Sequence, residues 1–235
     1  MSQTTLSAEQ IEAFYHDEFV EDQVRDFRTL AGDHTGVVVD IGGGYGFFAK
    51  RLTEVAGLQT RVLDTDPKSV ENCRAVGIDG RIGDALAPDY QGDEDVVSFN
   101  LILHHLVGQD ERTTRGLQVQ ALKAWRGKAK RVFVNEYIYE SAVENVSGRL
   151  IYEITSSRFL STIAAAVAKV IPSLRANTFG VGVRFRARRE WFKLFRDAGY
   201  RVVAETTGTP EPVSVPQRGL LIKTIRRDSY LLEAA

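Results

Sequence analysis

Apolar and polar residues change their spacing near residue 32, and this change divides the chain into two kinds of structure. Before it, apolar residues recur at helical spacing over residues 7–30, which predicts one amphipathic helix. After it, short apolar runs alternate with amphipathic segments, one closed by Gly57 and another begun by the pair Asp66-Pro67. The fully apolar run "GVVVDI" is typical of a parallel strand that is covered on both faces.

This alternation predicts an α/β fold with a doubly wound, mostly parallel, seven-stranded sheet. Residues 141–176 interrupt the alternation with two predicted helices and no strand. A helix and a strand follow at 188–206, and a proline-rich loop then leads to a last strand in "LLIKTIR". Because no helix is predicted between these last two strands, they must pair antiparallel, and the sheet should end in a C-terminal hairpin.

The predicted elements divide the chain into an N-terminal helical cap (1–32), an α/β core (33–137 and 184–235) and a helical insertion (138–183). The insertion leaves and rejoins the core at one edge of the sheet, so we expect it to cap a ligand pocket there. Its long apolar run must cover a surface, which is that pocket or a second subunit, and a homodimer through the cap is the alternative. Its aromatic and basic residues suit a small planar or acidic ligand, and equally an ordinary helical cap: Tyr139, Tyr152, Phe159, Phe179, Arg149, Arg158 and Arg175.

Charge and composition narrow the classes of partner. The chain has 235 residues and a formal net charge of −1, so no overall field favours nucleic acid or a membrane surface. The basic stretch "RFRARRE" is interpreted as a solvated strand edge rather than a nucleic-acid patch. A single cysteine, Cys73, and scattered histidines predict no disulfide and no metal site. No signal peptide or membrane span is evident, and we expect a cytoplasmic enzyme.

The stretch "VVVDIGGGYGFFAKRL" carries the strongest chemical signal, because its glycines let a ligand approach the backbone ahead of a helix N-terminus. One interpretation is a dinucleotide site, with Gly44, Gly46 and Ala49 in the fingerprint and Asp64 about 20 residues beyond the loop. That interpretation leaves Asp40 unexplained, since a carboxylate at the mouth of the loop repels a pyrophosphate. A zwitterionic ligand with an ammonium group would instead gain from the acid.

The segment "DIGGGYG" resembles the first motif of the class I S-adenosylmethionine-dependent methyltransferases, acid-x-Gly-x-Gly-x-Gly, at Asp40, Gly42, Gly44 and Gly46. The resemblance extends over residues 10–137 and 184–226. Four more segments match later motifs in order: "RVLDTDP", "RIGDALAP", "DVVSFNLILHHL" and "EWFKLFRDAGYRVV". It implies the small-molecule type of the family, with S-adenosyl-L-methionine as cofactor and S-adenosyl-L-homocysteine as product.

The resemblance also implies roles for individual residues. Asp64 would bind both ribose hydroxyls, Asp84 would accept from the adenine amine, and Ala85 would offer its backbone N–H. In related enzymes a tyrosine on an N-terminal helix closes over the cofactor, which makes Tyr15 a candidate, although core packing explains it equally. Further cofactor-binding candidates within the matched motifs are Gly43, Thr65 and Asn100.

Methyl transfer from a sulfonium is an in-line displacement, so the protein mainly aligns donor and acceptor, and a base helps when the acceptor is a hydroxyl. His104 and His105 follow the fourth strand at the carboxyl edge, and Glu136 ends the fifth. These three are the catalytic candidates, against alternatives in which the histidines shape a turn and Glu136 caps a helix. We expect O- or N-methylation of a small molecule in secondary metabolism. The alternatives are an NAD(P)-dependent oxidoreductase, a methyltransferase acting on RNA or protein, and a degenerate fold that only binds a partner.

Overall fold

The computed structural model describes residues 19–32, 36–170 and 179–235 of the chain. The strands are β1 (Val37–Ile41), β2 (Thr60–Asp64), β3 (Asp79–Ile82), β4 (Glu94–Asn100), β5 (Arg131–Ser141), β6 (Tyr200–Thr206) and β7 (Ile222–Ala234). The helices are α1 (Val20–Ala31), α2 (Phe47–Ala56), α3 (Pro67–Ala75), α4 (Glu111–Ala124), α5 (Val146–Ser156), α6 (Arg158–Val170), α7 (Arg188–Asp197) and α8 (Val215–Gly219). A short 3-10 helix, Leu103–His105, follows β4.

The seven strands form one sheet in the order β3-β2-β1-β4-β5-β7-β6. The first five are parallel, and β7 runs antiparallel to both β5 and β6. The predicted doubly wound sheet with an antiparallel C-terminal strand is therefore confirmed. The last strand is longer than the predicted "LLIKTIR", and the loop before it contains the short helix α8.

Helices cover both faces of the sheet, which explains why its central strands are almost wholly apolar. On one face, Phe27 of α1 and Phe48 of α2 pack on Phe133 of β5, with the rings of Phe27 and Phe133 5.2 Å apart. On the other face, α4 and α7 enclose the buried indoles of Trp125 and Trp191. The face under α1 and α2, here called the α1 face, holds part of the candidate site.

The insertion begins later than the sequence predicts. Strand β5 continues through residues 138–141, because the long β7 offers it an antiparallel partner beyond the end of β4. Two helices follow, α5 and α6, within the interval where two were predicted. Residues 1–18, which make up most of the predicted N-terminal cap, lie outside the described residues, and α1 supplies the rest. None of the described helices has the length and apolarity that crossing a bilayer requires.

Candidate active site

The glycine loop joins β1 to α2 at the carboxyl edge of the sheet, where ligands bind in open α/β sheets. Gly42, Gly44 and Gly46 have φ angles of 66°, 55° and 76°, a left-handed conformation that favours glycine. Space also requires glycine, because a Cβ on Gly42 would lie 2.7 Å from the Ile102 side chain. Gly46 caps α2 without a side-chain hydrogen bond, so the first-turn amides are not claimed by a cap.

The thiol of Cys73 supports this loop from below. Its Sγ donates a hydrogen bond to the carbonyl of Gly44 at 3.1 Å, and a Cβ on Gly46 would lie 3.0 Å from it. Burial, followed by the charges of Asp40 and Asp64, raises the pKa of Cys73 to about 11. The thiol therefore keeps its proton at neutral pH and acts as a hydrogen-bond donor.

Asp40 lies at the end of β1 as a buried acid. Asn100, at the end of β4, donates from Nδ2 to Asp40 Oδ1 at 3.0 Å and to Ser98 Oγ at 2.7 Å. Burial, opposed by the Asn100 hydrogen bond and reinforced by the charge of Asp64, raises the pKa of Asp40 from 3.8 to about 7. Among the described residues no cation forms an ion pair with Asp40, and the buried Oδ1 of Asn100 has no hydrogen-bond partner. A carboxylate and an amide oxygen of this kind fit an ammonium group, which would satisfy both.

Asp64 ends β2 and joins the loop directly. Its Oδ2 accepts from the backbone N–H of Gly44 at 3.0 Å, and its Oδ1 accepts from that of Asp66 at 2.9 Å. Burial raises the pKa of Asp64, while these backbone hydrogen bonds partly oppose the shift. Each carboxylate oxygen can accept a second hydrogen bond, so Asp64 can brace the loop and still receive ligand hydroxyls. Thr65, the next residue, is exposed.

The other cofactor candidates lie in the turn after β3, beside Asp40, or outside the described residues. Asp84 is exposed, and its Oδ1 accepts from the N–H of Leu86 at 2.8 Å in a turn after β3. Ala85 is half-buried against the core. Gly43 packs on the Asp40 carboxylate, which leaves no room for a Cβ. Tyr15 lies outside the described residues.

His104, in the 3-10 helix after β4, meets Glu136 of β5. The sequence predicts that Glu136 ends the fifth strand, but it lies within β5, one residue beyond the last pair with β4. His104 Nδ1 lies 2.6 Å from Glu136 Oε2, and Glu136 Oε1 accepts from the N–H of Leu103 at 2.7 Å. Glu136 is fully buried and His104 is 3% exposed. Both oxygens of Glu136 are engaged by the 3-10 helix. Oε1 accepts from two of its N–H groups in the manner of a helix cap, although the capped helix precedes β5 in the chain instead of following it. Glu136 is a positioning group that fixes the His104 ring.

An aromatic cluster surrounds this pair. The ring of His104 lies 4.2 Å from that of His105 and 5.0 Å from that of Phe185, and Tyr139 stacks on Phe185 at 4.3 Å. Burial and the neighbouring His104 hold the pKa of His105 well below its ordinary value, so its imidazole is neutral at neutral pH. Burial, then Tyr137 and Glu211, raises the pKa of Tyr139, so its phenol keeps its proton.

The segment that follows the insertion is hydrogen-bonded to His104. The backbone N–H of Arg184 donates to the carbonyl of His104 at 2.9 Å, which holds Phe185 beside the imidazole. Arg184 and Arg186 are 0% and 1% exposed, and both pair with Glu111 and Glu190. The prediction of a solvated edge is therefore wrong for these two arginines, because acidic partners from two other elements enclose them.

Two insertion residues occupy different environments. Tyr152 is buried, and its hydroxyl donates to the carbonyl of Gly108 at 2.7 Å, which ties α5 to the loop after the 3-10 helix. Phe159 on α6 is 73% exposed.

The described residues contain no group of three or more histidine, cysteine or acidic side chains that could hold a metal ion.

Structural comparison relates the chain to S-adenosylmethionine-dependent methyltransferases of known structure. The mitomycin 7-O-methyltransferase MmcR is 15% identical over 93% of this chain and 54% of its own, with a TM-score of 0.57. The geranyl diphosphate C-methyltransferase of Streptomyces coelicolor A3(2) is 11% identical over 100% of this chain and 92% of its own, with a TM-score of 0.57. The [4+2]-cyclase SpnF is 14% identical over 93% of this chain and 81% of its own, with a TM-score of 0.59.

These similarities establish the fold. The chain has the fold of the class I methyltransferases, as its sequence motifs predicted. It spans about half the length of MmcR. No protein-family model and no curated protein sequence matches it. Because a cyclase shares the fold, the reaction must be argued from the site.

Proposed function

We propose that the protein transfers a methyl group from S-adenosyl-L-methionine to an oxygen or nitrogen atom of a small molecule. One observation carries the cofactor assignment. Beside the glycine loop, the buried Asp40 carboxylate is paired with no described cation and lies next to Asn100, whose buried amide oxygen has no partner. The ammonium of a methionine group supplies the cation and the donors that these two oxygens need.

The remaining cofactor contacts follow from the ends of the strands. Asp64 would accept from the ribose hydroxyls with the lone pairs that Gly44 and Asp66 leave available. Asp84 and Ala85 would receive the adenine, and the glycine loop would admit the cofactor without clashes. When bound, the cofactor supplies an electrophilic methyl group on a sulfonium. The protein's own task is to align that methyl with the acceptor and exclude water.

For a hydroxyl acceptor, His104 is the candidate base. Nδ1 of His104 is turned to the Glu136 carboxylate, so Nε2 is left to take the acceptor proton. Glu136 would stabilise the imidazolium that forms, in the same way that a buried carboxylate orients a catalytic histidine elsewhere. Burial, and then the neighbouring His104, hold the pKa of His105 well below its ordinary value, so we assign His105 to the shape of the turn rather than to proton transfer.

The insertion supports this assignment by its contacts. Arg184, the first residue after the insertion, holds Phe185 against His104, and the first helix of the insertion is tied to Gly108 through Tyr152. We infer that the described parts of the insertion, residues 142–170 and 179–183, close the carboxyl edge over the acceptor. The exposed Phe159 does not contribute to that closure.

The test is a methyl-transfer screen with radiolabelled S-adenosylmethionine against fractionated small-molecule extracts and against RNA and protein from the same cells. The proposal predicts label in a small-molecule fraction, and loss of that label with His104→Asn. The exposed Arg201→Gln variant, on β6, is the matched control and should transfer at the wild-type rate. Label in RNA or protein instead, or none in any fraction from a protein that binds S-adenosylhomocysteine, would contradict it.

A further inference from the structure

Polar side chains form a row across the α1 face of the sheet, at the level where β4 ends. Strand alternation places Asp40, Ser98, Asn100 and Asn135 on that face. Apolar residues that pack under α1 and α2 precede them by two positions on each strand, at Val38, Val96 and Phe133. Asn100 and Asn135 are register partners on adjacent strands. The row therefore runs from the proposed ammonium site on β1 to the strands on the far side of β4.

Beyond Asn135 the row continues through a hydrogen-bonded chain into α1. Asn135 donates to Ser229 Oγ at 2.8 Å, Ser229 donates to Asp26 Oδ2 at 2.9 Å, and Gln23 donates to Asn135 Oδ1 at 3.4 Å. All four side chains are buried. Burying four polar side chains costs free energy, and apolar residues of similar volume would pack α1 on the sheet equally well. Packing of α1 therefore does not explain why these positions are polar.

A cavity of about 140 Å³ opens at this chain, between α1, β5, β7 and the loop after β6. That volume holds several water molecules or a small ligand group. Its helix wall is lined by Asp22, Gln23, Arg25 and Asp26, and its opposite wall includes Asn135, Thr209 and Arg227.

The least exposed charged groups of the two walls are opposite in sign. Asp26 presents a buried carboxylate on the helix wall. Arg25 on the same wall is 66% exposed, pairs with Asp22 at 2.6 Å and reaches Asp26 Oδ1 only at 3.4 Å, so Asp26 can still accept from an ammonium. On the sheet wall, Arg227 lies 3.6 Å above the Phe19 ring, and its ion pairs with described residues are long, at 3.5 Å to Glu211 and 3.9 Å to Asp22. These distances exceed those of a strong charge-assisted hydrogen bond, so the guanidinium N–H groups can still bind a carboxylate.

We propose that this cavity binds the zwitterionic end of the methyl acceptor, an amino-acid-like group with its ammonium at Asp26 and its carboxylate at Arg227. The inference rests on the proposed function, because it takes the bound molecule to be the acceptor. The location agrees, since β5 is two strands from β1 and neighbouring strands are about 4.8 Å apart. Asn135, which lines the cavity, is the register partner of Asn100 at the proposed ammonium site.

The experiment is ligand-observed NMR on the full chain loaded with S-adenosylhomocysteine. Three pools are compared: the proteinogenic amino acids, the amines they give on decarboxylation, and the carboxylic acids they give on deamination. The proteins are wild type, Asp26→Asn, Arg227→Gln and the control Arg201→Gln, whose side chain is 62% exposed on β6 and pairs with Glu233.

We expect wild type and the control to bind members of the amino-acid pool. Both proteins should bind the amine pool and the acid pool much more weakly. Both cavity variants should lose at least about tenfold in affinity for the amino-acid pool, which is the effect of about 1.4 kcal/mol, while their affinity for S-adenosylhomocysteine stays within about twofold. Equal binding of the amine or acid pool, no binding of any pool, or unchanged binding in both variants would overturn the inference. So would a loss of melting temperature and cofactor affinity together, which would mark the chain as structural. The proposed function is judged separately, by cofactor binding and methyl transfer.

Discussion

His104 and Glu136 are 32 residues apart in the chain, yet their Nδ1 and Oε2 atoms lie 2.6 Å apart in the fold. The carboxylate also accepts from the N–H groups of Leu103 and His104, so one acid fixes both the turn and the ring. The histidine therefore sits at the carboxyl edge in one orientation, with its second nitrogen left for chemistry.

Replacing His104 by Asn should lower kcat by about 10²-fold or more for a hydroxyl acceptor, which is the range of general-base catalysis. The affinity for S-adenosylhomocysteine should stay within about twofold, because the ring is not placed at the cofactor loop. Steady-state kinetics and calorimetry give the two numbers. His105→Asn is the matched control and should lose much less of kcat. Equal losses of kcat in both variants would mean that His104 and His105 shape the turn and that neither acts as the base.

Cofactor affinity should depend on the ionisation of Asp40. Its pKa is about 7, so below that pH the carboxyl is increasingly neutral and cannot pair with an ammonium. The affinity for S-adenosylhomocysteine should therefore rise with pH through about 7 and then level off. Calorimetry over a pH series measures this, and Asp40→Asn should bind more weakly with a flatter profile. A wild-type profile that is flat across this interval would remove Asp40 from the cofactor site.

The raised pKa of Asp40 also makes the stability of the cofactor-free protein depend on pH. Because the folded state holds the Asp40 proton up to about pH 7 and the unfolded state releases it near 3.8, the folded state binds more protons between these values. Asp40 thus lowers the free energy of unfolding as pH rises through that interval. Asp40→Asn should remove this contribution, so urea unfolding should show a stability gain that is larger at neutral than at acidic pH. No difference between the two would contradict the pKa.

Asp64→Ala should weaken S-adenosylhomocysteine binding by roughly 1.5–3 kcal/mol, the range for hydrogen bonds to charged groups. Part of this loss comes through the loop, since the variant also frees the N–H of Gly44. The exposed Asp89→Asn variant controls for a general loss of negative charge and should bind normally. Circular dichroism confirms folding in each case. Unchanged affinity in a folded Asp64 variant would refute the ribose assignment.

Removing Arg184 should destabilise the fold strongly. Arg184→Met leaves Glu111 and Glu190 with one fewer buried cation, and breaking buried pairs costs about 3–5 kcal/mol. The control is Arg189→Met, whose side chain is 87% exposed and should contribute about 1 kcal/mol or less. Urea unfolding measures both. A small effect at Arg184 would show that the network is dispensable for stability.

Phe159→Ala should leave kcat within about twofold of wild type, because its ring is 73% exposed and contacts neither His104 nor the glycine loop. Size-exclusion chromatography of the same variant tests whether α6 joins two copies of the chain, which remains a prediction. Tyr152→Phe is the comparison, and should cost about 1 kcal/mol of stability through the lost hydrogen bond to Gly108. A large loss of kcat in Phe159→Ala would instead place α6 at the acceptor.

The sequence alone predicted the sheet and the position of the glycine loop between β1 and α2, because both depend on local signals. Apolar runs, glycines and the Asp66-Pro67 cap report on backbone conformation within a few residues. The carboxyl ends of parallel strands meet at one edge, so the nearness of Asp40 and Asp64 to the same loop followed from strand order. The extra length of β7 did not, since an antiparallel edge partner is a tertiary property.

The misjudged residues are those whose environment comes from distant elements. Arg184 and Arg186 look like surface charges in sequence, but Glu111 on α4 and Glu190 on α7 pair with both of them and stabilise their charges in the buried site. The contact between His104 and Glu136 depends on a register between strands that no local pattern encodes. The polar row through Asn135 likewise interrupts apolar strands one residue at a time.

Calorimetric titration of the purified protein with S-adenosylhomocysteine and, separately, with NAD tests the central claim most directly. The cofactor assignment predicts one site per chain for S-adenosylhomocysteine, weakened in Asp40→Asn and Asp64→Ala, and no measurable heat with NAD. Saturable NAD binding, without any binding of S-adenosylhomocysteine, would contradict the account.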